Sequence, residues 1–90
     1  MESLREREIL NWLHERISAA DWRLLGTNLG LSGDSLRVIQ ANHNDVEDRL
    51  WMVVHDWLRG AYDRDAYGYP SWARLKKAVD EIPSRGNSQK

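Results

Sequence analysis

The 90-residue chain has no cysteine, no phenylalanine and only two prolines, and 13 basic against 14 acidic residues leave a formal net charge of −1. Each scarcity excludes something. Without cysteine there is no disulfide, no thiolate nucleophile and no thiolate metal ligand, and a reducing compartment suits such a chain. A charge so close to zero creates no long-range field to draw nucleic acid or an anionic membrane to the surface. No apolar run approaches the ~20 residues of a membrane-spanning helix. The start, Met1-Glu2-Ser3-Leu4-Arg5-Glu6-Arg7-Glu8, is too charged for a signal peptide, and no Asn-x-Ser/Thr acceptor occurs. These absences predict a soluble, cytoplasmic protein with neither a membrane nor a nucleic acid as partner.

What is present is aromatic and helical. Five tryptophans and three tyrosines stand in a chain that is 41% apolar and 30% charged, and each large aromatic can remove ~150–250 Å² from water. One domain of this size lies near the lower limit for an unaided core. Apolar residues recur with helical spacing along nearly the whole chain, without a sustained strand alternation. A first helix capped by Ser3 and Glu6 carries Ile9, Leu10, Trp12, Leu13 and Ile17. Ser18 with Asp21 starts a second, bearing Trp22, Leu25 and Leu29, and Gly30 sits where a left-handed residue ends it. Ser32 caps a third with Leu36 and Ile39 inward.

Asn44 with Glu47 caps a fourth helix, the most apolar, placed at the centre of the bundle. It carries Val46, Leu50, Val53 and Trp57 on one stripe, with Trp51, Val54 and Leu58 beside it. Residues 61–70 read as a loop punctuated by Gly68 and Pro70. Ser71 caps a fifth helix with Trp72, Leu75, Val79 and Ile82, and Pro83 stops it. The expected division is a helical bundle over 1–83 and a polar tail over 84–90.

Catalytic chemistry finds no support. His14, His43 and His55 have no i, i+4 partner for a helical metal site, and His55 and Asp56 point about 100° apart on a helix. Ser32-Gly33-Asp34-Ser35 reads as a cap and turn. No glycine-rich phosphate loop is present. The expectation is a non-enzyme with no cofactor, no metal and no small-molecule substrate.

The spacing of the apolar residues resembles the death domain. Trp22, Leu25, Leu29 and Gly30 match its second helix, Leu36 and Ile39 its third, and Trp57-Leu58 the aromatic end of its fourth. Ser71, Trp72, Leu75, Ala78 and Val79 match its fifth. The resemblance spans roughly residues 18 to 82 and implies an all-α, antiparallel Greek-key bundle of the death-fold type. Five helices are evident; the family's sixth is missing or truncated.

The resemblance also implies function: a homotypic interaction module whose partners are other death-domain-like proteins or itself. Such domains assemble signalling complexes, oligomeric or filamentous, through asymmetric, charge-complementary surfaces. The residues placed on such surfaces are Arg23, Asp34 and Arg37; Asp45, Glu47, Asp48, Arg49 and Trp51; and Arg59, Asp63, Arg64 and Arg74. Two alternatives stand beside it: a bundle whose groove, left by the missing sixth helix, receives a partner's amphipathic helix, and a nucleic-acid-binding helical domain.

Overall fold

The computed structural model describes residues 5–62 and 64–82, leaving out the side chain of Arg64. Within them the chain forms α1 (Glu6–His14), a 3-10 turn (Ala19–Asp21), α2 (Trp22–Leu29), α3 (Gly33–Asn42), α4 (Val46–Leu58), α5 (Arg64–Tyr67) and α6 (Trp72–Asp80). Among the described residues there is no strand, so the fold is all-α with six helices.

Most helix ends are decided locally. The hydroxyls of Ser18, Ser32 and Ser71 accept from the backbone N–H of Ala20, Ser35 and Arg74, each satisfying a donor that the first turn would leave orphaned. Gly30 closes α2 with a φ of 105°, a left-handed conformation, and its N–H bonds back to the Gly26 and Thr27 carbonyls.

Three local expectations change. The described part of α1 begins after Arg5, whose side chain makes no capping bond; Ser3 lies outside the described residues. The cap of α4 is Asp45, not Asn44: its carboxylate accepts from Glu47 N–H at 3.2 Å. A carboxylate at that place also favours the positive end of the helix dipole. Finally, the segment read as a loop contains α5, so the helix opened by Trp72 is the sixth in the chain. No local signal marks α5. Tertiary packing holds it, because the Tyr67 ring lies on the bare Cα of Gly30, where a Cβ would come within 2.7 Å of the ring.

Hydrophobic burial places α4 at the centre, as its sequence predicts. It packs against α1, α2, α3 and the 3-10 turn, while α2 also supports α6. Leu50, Val53, Val54 and Trp57 of α4 meet Ile9 and Leu13 of α1, Leu25 and Leu29 of α2, Leu36 and Ile39 of α3, and Leu75 and Ala78 of α6 in one core cluster. Each fully buried side chain of this kind contributes ~1.5–3 kcal/mol. Gly26 allows α2 and α3 to approach: a Cβ there would stand 2.6 Å from Leu36 Cδ2. Trp22 and Trp57 are buried. Trp12 and Trp72 are half-buried and meet edge to face, with ring centroids 5.9 Å apart.

Candidate functional site

A helix buries one stripe and leaves the remainder of its surface for recognition. The outward positions divide into three regions, which correspond in part to the residues named from the sequence.

The first lies where α1 and α4 run antiparallel. His14, at the end of α1, meets Glu47 near the start of α4, while Glu6, at the start of α1, meets His55 near the end of α4. The His14 Nε2–H donates to Glu47 Oε1 and the His55 Nδ1–H to Glu6 Oε2, both at 2.7 Å. Glu6 Oε1 accepts a further bond from the Trp51 indole N–H at 3.3 Å. Trp51 remains 45% exposed. It helps to line an open cleft of about 440 Å³ together with Glu6, Arg7, Leu10, Asn11 and His14. Asp45, Glu47 and Asp48 keep the beginning of α4 acidic and exposed.

Arg49 belongs to the fold. Half-buried, it donates to the His43 carbonyl at 2.6 Å and the Gln40 carbonyl at 3.2 Å, and it lies over the Trp22 ring at 5.6 Å. It closes the α3–α4 corner rather than facing outward with its acidic neighbours.

The second region is the outer side of α2 and α3. Arg23 donates to Gln40 Oε1 at 2.8 Å, and Arg37 pairs with Asp34 at 3.2 Å, both side chains largely exposed. Such a pair is worth ~0–1 kcal/mol and holds neither partner firmly. The same two helices also expose apolar side chains, Leu24 at 42% and Val38 at 57%.

Of the third region, the structure describes Arg59 and Arg74, each with a local partner. Arg59 pairs with Asp56 of its own helix at 3.4 Å. Arg74 lies over the Tyr67 ring at 5.9 Å. Asp63 and the Arg64 side chain lie outside the described residues.

Beyond these, α1 and α6 flank an open groove of about 370 Å³ lined by Trp12, Arg16, Lys76, Val79 and Asp80. Arg16 sits 4.3 Å from the centroid of the Trp12 ring and donates to the Trp12 carbonyl. Sequence reasoning missed this groove and both histidine–glutamate bridges. The bridges join residues 33 and 49 apart in the chain, a separation across which helical periodicity carries no signal.

Among the described residues, no group of three or more His, Asp and Glu side chains has the geometry to hold a metal ion. No described helix is long and apolar enough to cross a membrane. Comparison with family models, curated proteins and solved structures returns no match for this chain.

Proposed function

We propose that the chain is a death-domain-like interaction module: a non-catalytic bundle that joins copies of itself or similar domains into a cytoplasmic signalling assembly. In this reading the helices follow the family's antiparallel Greek-key arrangement. The observation that carries it is the unlike character of two exposed faces. The α1–α4 face presents Trp51 with Glu6, Glu47 and Asp48 against the single arginine Arg7; the outer sides of α2 and α3 present Arg23 and the Arg37–Asp34 pair, and the same helices expose Leu24 and Val38. An aromatic, acidic face and an aliphatic, basic one on a single chain are complementary between copies. Contacts between unlike faces are heterologous, so they extend into rings or filaments instead of stopping at a dimer.

Individual pairs at such a contact are weak and screened by salt, so specificity comes from several acting together. The test is light scattering coupled to size-exclusion chromatography over a concentration series at low and high salt. Oligomers that grow with concentration and dissolve in salt are expected. Arg23→Glu or Asp48→Lys shrinks them while leaving the helical circular dichroism unchanged. A monomer at every concentration and salt refutes self-assembly.

A second reading draws on the groove between α1 and α6. Its half-buried Trp12 and Val79, with Arg16 and Lys76 on the rim, suit the apolar face of a partner helix. Strict monomers that bind one amphipathic helical peptide tightly favour it over self-assembly.

A further inference from the structure

Four of the five tryptophans have their rings covered from within the chain. Trp57 and Trp22 are buried, and Arg23 and Arg49 lie 5.9 and 5.6 Å from the Trp22 centroid. Trp12 packs against Trp72 and carries Arg16 over its own ring. Trp51 differs. It is half-exposed in the cleft beside α1, and among the described residues no cation lies over it. Its indole N–H bond to Glu6 Oε1 nevertheless holds the ring in place, and Glu6 is itself held by His55.

We propose that this cleft receives an arginine side chain from a partner protein, with the guanidinium stacked on the Trp51 ring and facing the carboxylates of Glu6 and Glu47. The inference rests on the α1–α4 face being an interaction surface and names the chemistry that this face accepts. Three observations support arginine.

The face of an indole is the strongest aromatic acceptor for a cation, and this ring is already oriented, so little rotamer freedom is lost on binding. Next, Glu6 and Glu47 are placed by their histidine partners, yet a carboxylate offers about four acceptor sites and these bonds leave several open. Charge also points the same way. Arg7 is the one permanently charged cation in the lining, where it is offset by Glu6, while Glu47, held on His14, and Asp48 on α4 add two further carboxylates beside it. A planar, weakly hydrated guanidinium matches a flat ring flanked by carboxylates better than a compact ammonium does.

The test uses the whole chain, labelled with ¹⁵N, and a capped tetra-arginine peptide as probe. Tetra-citrulline, of the same shape without the charge, serves as control. The five indole N–H signals report separately on the five tryptophans, and Trp51→Phe identifies the one that matters. A saturable shift of the Trp51 signal with tetra-arginine is expected, together with α1 backbone amides around Glu6 and His14, and a weaker response to tetra-lysine. Glu6→Gln weakens binding about threefold to tenfold, and Trp51→Leu removes the response of the α1 amides. Unchanged signals from the other four indoles show that the variants remain folded.

Equal shifts with tetra-citrulline, or shifts elsewhere that leave Trp51 unmoved, overturn the inference. Scattering on the same samples separates it from the assembly reading. Arginine binding at Trp51 by a chain that stays monomeric supports the inference and overturns self-assembly. Oligomers from a chain whose Trp51 ignores tetra-arginine do the reverse.

Discussion

Replacing Gly30 with alanine probes a close contact that seats α5 on the bundle. Gly30 has a φ of 105°, where a left-handed L-residue carries strain of roughly 1–2 kcal/mol. The added Cβ also lands 2.7 and 2.8 Å from two carbons of the Tyr67 ring. Comfortable carbon–carbon contact begins near ~3.5 Å, so the ring must retreat by roughly 1 Å. Tyr67 is 40% exposed, so the ring yields more easily than a core side chain and the steric cost is about 1 kcal/mol, the low end for overpacking. Alanine restricts the unfolded chain, which offsets ~0.4–1 kcal/mol.

The expected net loss is about 2 kcal/mol, a fall in melting temperature of roughly 8–16 °C for a domain of this size. Urea unfolding followed by circular dichroism measures it. The steric part should vanish once the ring is gone, so in a Tyr67→Ala background the same change costs only about 1 kcal/mol. A loss under about 0.5 kcal/mol, or the same loss in both backgrounds, refutes the reasoning.

Two further predictions concern the ends and the edge of the bundle. Ser71→Ala removes the hydroxyl that accepts from Arg74 N–H at 3.2 Å and costs about 1 kcal/mol; Ser71→Asp, which restores an acceptor, recovers most of it in the same urea titration. The His55–Glu6 bridge joins two half-exposed side chains, 44% and 33% accessible, so a Glu6→Gln, His55→Gln double-mutant cycle yields a coupling below about 1 kcal/mol that diminishes in high salt. A coupling several times larger shows that the pair is desolvated in solution.

The helix ends were legible because a cap is a local bargain between one side chain and the nearest backbone donors. Ser18, Ser32, Ser71 and Gly30 each act within a few residues of themselves. Where two cap-forming residues adjoin, as Asn44 and Asp45 do, propensity does not choose between them, and in the structure Asp45 takes the helix start and accepts from Glu47 N–H. Among the surface residues, Trp51, on a stripe with Val54 and Leu58, is exposed against that pattern, whereas Arg23, Asp34, Arg37, Glu47 and Asp48 are exposed as their positions on the helical wheel imply, and so is the cap residue Asp45. Arg49 has the same sequence character and folds inward, because the carbonyls of Gln40 and His43 converge on it only after α3 and α4 have packed.

By itself the sequence determined the all-helical class, the apolar stripes and the central position of α4, since amphipathic periodicity and burial are properties of neighbouring residues on one helix. Only the tertiary structure decided that a four-residue segment becomes α5, that Trp51 is pinned to α1 through Glu6, and that two histidines of different helices each find a glutamate on the other. These contacts join residues far apart in the chain. Their existence depends on how helices are set against one another, and a helical period carries no record of that.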